Sequence, residues 1–157
     1  MKIYIATSWK MEKLAKSMAD LLRRLEFEVD LFCDPTGGRY VFSFADLGIP
    51  KDLDQFDVNN NPKAQRAFAQ DRRGLDWADV VIMMTPCGNS AHLEAGYACG
   101  HGKKLFIYGA FLKGQIDVMY QFADRMFRQV RDLIDALQVY EQELKHQRED
   151  RHEQAGA

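Results

Sequence analysis

The stretch "ADVVIMM", Ala78 to Met84, closes in a run of apolar residues with no polar alternation. A strand with one wet face would alternate. A strand that is apolar on both faces belongs in the middle of a parallel sheet, covered by helices above and below. Working outward, "KKLFIYG", Lys103 to Gly109, is the next strand, and Asn89–His101 between the two is read as a helix with Asn89 or Ser90 as its cap. Upstream, "KIYIA", Lys2 to Ala6, is a short β-prone run, and "FEVDLFC", Phe27 to Cys33, alternates like a strand. Between them Leu14, Met18, Leu21, Leu22 and Leu25 recur at three- and four-residue spacing, which predicts an amphipathic helix over Lys10–Leu25. Val130, Leu133, Ile134, Leu137 and Leu144 mark a last helix from about Phe127 to His146.

Strand–helix–strand alternation predicts an α/β fold: a doubly wound, flavodoxin/Rossmann-like sheet of about five parallel strands, with right-handed crossovers and helices on both faces. One domain is expected over residues 1–147, followed by a polar tail, 148–157, that frays. Asp34 to Pro62 breaks the regularity, with turn formers at both ends and the aromatics Tyr40, Phe42, Phe44 and Phe56 along it. Long loops inside compact domains are usually functional or disordered, and the aromatics argue against disorder. An aromatic flap over the carboxyl ends of the strands is the expectation.

Composition excludes several classes of function. The chain has 157 residues, 46% hydrophobic and 28% charged, with a formal net charge of −2, as in an ordinary globular domain. Lysines and arginines are spread rather than clustered, so neither a nucleic-acid polymer nor a membrane surface is an expected partner. No apolar run approaches the ~20 residues of a membrane span, and "MKIYIATSWK" lacks a signal peptide's apolar core. Cys33, Cys87 and Cys99 form no metal-like spacing and cannot all pair, so a reducing cytoplasm is the expected compartment. No cofactor and no metal are expected.

In "GNSAHLEAGYACGHGKK", Gly88 to Lys104, Glu94 is the one acidic residue, set among Gly88, Ser90, Ala91, Ala95, Gly96 and Ala98. Ligands of open parallel sheets bind at the carboxyl ends of the strands, where Thr7, Ser8 and Trp9 follow one strand and Thr85 to Ser90 another. Glu94 is placed in the first turn or so of the following helix, whose dipole favours an ionised carboxylate. That placement alone fits a plain helix-start acid. Gly96 and Ala98 favour the alternative, a helix pressed against its neighbours with Glu94 at the floor of a cleft.

These residues resemble the nucleoside 2-deoxyribosyltransferase superfamily, whose members exchange bases on 2′-deoxyribose or hydrolyse nucleoside 5′-monophosphates. The resemblance runs from Lys2 to about Phe127. "EAGYACGHGKK" is similar to the family's E-x-G-x-A-x-x-x-G-K motif and implies that Glu94 is the nucleophile. In "IYIATSW" it implies that Tyr4 orients that nucleophile and that Trp9 belongs to the base pocket. In "DRRGLDWAD" it makes Asp71 the acid that bonds the base and handles its proton. "IDVMY" resembles the segment lent by a neighbouring subunit, which implies a homodimer or larger assembly with Asp117 and Met119 in the partner's site. The substrate implied is a small-molecule nucleoside or nucleotide. Transferases of the family carry an aspartate six residues before the nucleophile, where Gly88 stands here. Backbone amides at the helix start, with Ser90 and Ser8, would then cradle a 5′-phosphate, with charge from Arg39 in the flap; Thr7, Gly88, Asn89 and, from the flap, Phe44 complete the expected substrate-binding set. Monophosphate hydrolysis is therefore the second reading, and a nucleotide sensor without turnover the third.

Blander readings stand beside these. Trp9 fits a core position, and Asp71 fits an exposed helix acid beside Arg72 and Arg73. Cys87 with His92 suggests a thiol nucleophile, but the C-x5-R phosphate loop is missing and small buried cysteines are common. "TGGR", Thr36 to Arg39, lacks Walker spacing, and His92 and His101 lack partners at metal-ligand spacing.

Overall fold

The computed structural model describes residues 1–47, 52–111, 113–114 and 116–155. Its strands are β1 (Lys2–Ala6), β2 (Glu28–Leu31), β3 (Val80–Thr85), β4 (Lys104–Gly109) and β5 (Arg125–Phe127). Its helices are α1 (Glu12–Arg24), α2 (Gln55–Asn60), α3 (Pro62–Trp77), α4 (Asn89–Gly100) and α5 (Val130–Ala155). All strand pairs are parallel, in the order β2-β1-β3-β4-β5. The chain steps outward from β1 to β2 and then crosses to β3, so the order reverses beside β1 and β3, the usual place for a ligand. Every residue of β3 is buried, as its unbroken apolar run requires.

Alternation along the inner strands divides the core. Ile3, Ile5, Val80, Ile82 and Met84 pack on one face with Met18 and Leu22 of α1 and Leu133 and Leu137 of α5. Tyr4, Ala6, Val81 and Met83 face the other way, against Leu75 of α3 and Ala91, Ala95 and Ala98 of α4. The three alanines let α4 lie close to the sheet. Gly96, expected to share that role, faces open space.

Some expectations are corrected. The first helix begins at Glu12, after a 3-10 turn over Trp9–Met11. Gly88, rather than Asn89 or Ser90, is the N-cap of α4, and no side chain caps it. The flap holds a helix of its own, α2, started by a capping box in which Asp54 accepts from the Phe56 and Asp57 amides. The Pro50 stretch of the flap lies outside the described residues. The last helix starts three residues later than expected and continues to Ala155, through most of the polar segment. Among the described residues no helix is long and apolar enough to cross a membrane.

Candidate active site

Tyr4, on β1, points at the face covered by α3 and α4, and its hydroxyl donates to Glu94 Oε1 at 3.0 Å. Glu94 is the sixth residue of α4, in its second turn rather than its first. The helix dipole is spent by then, and burial decides its charge. Burial first, then the nearby Asp71 charge, pushes the Glu94 carboxyl up from 4.5 to about 8, against the Tyr4 hydrogen bond. An acid ionised by a helix start is therefore not what the free site holds. Tyr4 itself is raised well above its ordinary value by burial and by Glu94, so it stays protonated and donates.

Asp71 reaches the same place from α3. Burial raises it from 3.8 to about 6, opposed chiefly by the Arg39 guanidinium. The helix that carries it sits close because Gly74 has no side chain: a Cβ there would lie 2.1 Å from Asp30 Oδ2 and 2.9 Å from the Tyr4 ring. Asp30 faces Tyr4 across the β1–β2 register. Arg39, expected at a phosphate, instead turns inward and bonds both Asp30 and Asp71. Asp30 and Gly74 were not singled out from the sequence. The signal was an acid in the strand-like "FEVDLFC" and a glycine inside a helix, each of which has a plainer explanation by itself.

The other expected residues are spread around this centre. Thr7 is buried and donates to the Met84 carbonyl at 2.9 Å, which ties β1 to β3. Ser8 precedes the 3-10 turn, and Trp9, 36% exposed, meets Phe32 edge-to-face at 5.0 Å. Gly88, Asn89 and Ser90 are exposed at the start of α4. Phe44 lies out along the flap against Phe42, and lines a hollow of about 190 Å³ with Leu47, Leu53 and Val58. Asp117 caps a 3-10 turn through the Met119 amide at 2.8 Å, and both are exposed. Among the described residues no hydrogen bond joins either of them to Glu94 or Asp71.

Cys87 Sγ is 3.8 Å from His92 Nδ1, but that nitrogen also lies 2.9 Å from the Gly88 carbonyl. A carbonyl only accepts, so Nδ1 carries a proton and cannot act as a base toward the thiol. Burial, with Glu94 second, pushes the thiol up to about 11. A thiolate nucleophile has no support here. Among the described residues no three His, Cys, Asp or Glu side chains gather as metal ligands.

What the arrangement offers is two carboxyls of opposing protonation, one behind a tyrosine hydroxyl and one beside an arginine. Such a pair can attack a carbon and move a proton in one step sequence.

No protein-family profile matches the sequence, and no curated protein matches it. Solved structures do match the fold. A 2-deoxyribosyltransferase from the psychrotolerant bacterium Bacillus psychrosaccharolyticus aligns over 85% of this chain and 90% of its own, with a TM-score of 0.59 and 17% identity. The Clostridium botulinum CMP N-glycosidase aligns over 89% of this chain and 99% of its own, with a TM-score of 0.53 and 14% identity. At such identities the likeness is one of fold, and the fold is the five-stranded parallel α/β sheet that these proteins share with this chain.

Proposed function

We propose that the protein cleaves the N-glycosidic bond of a nucleoside or nucleotide and transfers the sugar, in the manner of a nucleoside 2-deoxyribosyltransferase. The observation that carries this reading is the convergence of Glu94 from α4 and Asp71 from α3 around the Tyr4 hydroxyl. The two solved structures, a deoxyribosyltransferase and a CMP N-glycosidase, support it.

Breaking a base–sugar bond leaves positive charge on the anomeric carbon and negative charge on the base. Glu94, as carboxylate, attacks the anomeric carbon while the C–N bond breaks, and Asp71 donates its proton to the departing base. A second base, or water, then attacks the anomeric carbon and releases Glu94. The proton of the attacking base or water passes to Asp71, which restores the pair, as in retaining glycosidases.

Hydrolysis of a nucleoside 5′-monophosphate is the second reading. It is favoured by Gly88, the N-cap of α4, where no side chain caps the first-turn amides and the space around it is open. A nucleotide sensor without turnover is the third. Incubation with a panel of nucleosides and 5′-monophosphates, with and without an acceptor base, separates the three by chromatography. Exchange of bases is expected; free base plus sugar phosphate would point to the hydrolase. Binding without base release from any member would overturn both enzymatic readings.

The resemblance also supports a site shared between copies. Asp117 and Met119 sit on a turn whose neighbours Ile116 and Val118 are 92% and 75% exposed, an apolar surface suited to a second copy. At least a dimer is expected by light scattering at micromolar concentration. A fully active monomer would sink the shared site.

A further inference from the structure

Among the described residues Arg39 is the most buried arginine or lysine, only 9% exposed although it follows a turn in the flap. Its Nη1 donates to Asp30 of β2 and its Nη2 to Asp71 of α3, while its plane approaches the Tyr4 ring at 5.9 Å. Its Nε is buried without an acceptor among the described residues. The fork of a guanidinium can hold two carboxylates at once, which an ammonium on a flexible stem does poorly. Gly74 completes the arrangement by letting α3 descend onto Asp30 and Tyr4.

We propose that Arg39 and Asp30 are positioning residues for Asp71: the guanidinium, anchored by Asp30, fixes the Asp71 carboxyl beside the cleft and decides whether Asp71 or Glu94 gives up its proton first. Its catalytic meaning rests on the glycosidic reading above. The ionisable groups that face Asp71 are Tyr4 from β1, Asp30 from β2, Arg39 from the flap and Glu94 from α4, with Cys87 in turn facing Glu94. Arg39 favours the ionised form of Asp71 and Asp30 opposes it, so the two act on it with opposite sign.

In the free site the guanidinium bonds Asp71, while Glu94 accepts only from the Tyr4 hydroxyl among the described residues, so Asp71 is the carboxyl favoured to ionise first. A base that accepts a hydrogen bond from Asp71 reverses the order: one proton leaves Glu94, one arrives on Asp71, and no net proton is taken up. Asp30 keeps the guanidinium in place while Asp71 exchanges its partner.

The test is a titration that does not depend on turnover. Side-chain carboxyl NMR of the carbon-13-labelled protein follows Asp71, identified by the signal lost in Asp71→Asn. Arg39→Gln is expected to move the Asp71 midpoint upward by about one pH unit or more. Asp30→Asn is expected to move it downward, since the amide oxygen still accepts from the guanidinium and keeps it in place while the Asp30 charge that opposes ionisation is gone. Movement in the same direction, or none, overturns the proposal. If Arg39→Gln does not fold, Asp30→Asn decides by itself, because an upward or unmoved midpoint is incompatible with the proposal. Base release with unmoved midpoints would leave the glycosidic reading standing and remove this one. Opposite midpoint shifts, with no base released from any substrate, would support the positioning role and remove the glycosidic reading.

Discussion

Glu94→Gln is expected to slow base release by about a thousandfold or more, because covalent attack and cation stabilisation are lost together. The fold should survive, since the amide oxygen can still accept from the Tyr4 hydroxyl in the place of Oε1. Stability supplies a second readout. The folded carboxyl titrates at about 8, above its ordinary 4.5. A group raised in this way stabilises the fold fully below its unfolded value, and that contribution is lost as pH rises through about 8. Glutamine cannot ionise, so the variant should gain on the wild type between pH 5 and pH 9 in thermal unfolding followed by circular dichroism. Wild-type turnover should rise and fall with pH between limbs near 6 and 8 that belong to the carboxyl pair jointly. Near-normal turnover by Glu94→Gln would end the glycosyl-enzyme mechanism.

Arg39→Met should cost the fold about 3 kcal/mol at neutral pH, the low end for breaking a buried ion pair, since Asp30 and Asp71 keep some solvent contact. In a chain of this length that lowers the melting temperature by roughly 6–12 °C. Methionine fills most of the volume, so the loss comes from two acids left without their cation. Asp71 loses the cation that opposes its rise and titrates higher than before, and a raised acid stabilises at low pH and not at high. The deficit should therefore shrink as pH falls and Asp71 takes up its proton. Urea unfolding at several pH values checks this, and a deficit independent of pH would assign the loss to packing instead.

Much of the frame was legible because its signals were local. β3 advertises burial on both faces, and the spacing shows that α1 is a helix, although of its expected stripe Met18 and Leu22 are buried while Leu14 and Leu25 are exposed. Tyr4, Asp71 and Glu94 were legible through resemblance, and the structure brings the three together. β5 was not: only Phe127 of its three residues is buried, which leaves no pattern to read. Arg39 was placed in the right loop but aimed at a phosphate. An arginine among polar and aromatic loop residues reads as solvated, and only the fold shows that Asp30 of β2 and Asp71 of α3 await it. The run of α5 past its last apolar stripe was hidden for a similar reason. Helix made of polar residues carries no burial signal.

Gly74 carries a consequence for how such a chain can change. Any side chain there collides with the carboxylate of Asp30 before it meets anything else. A larger residue at 74 therefore asks for room from Asp30 and also from the Tyr4 ring, whose carbons would stand 2.9 Å away. Shortening residue 30 strips Arg39 of its anchor, so positions 4, 30, 39 and 74 are bound to drift as one unit or not at all.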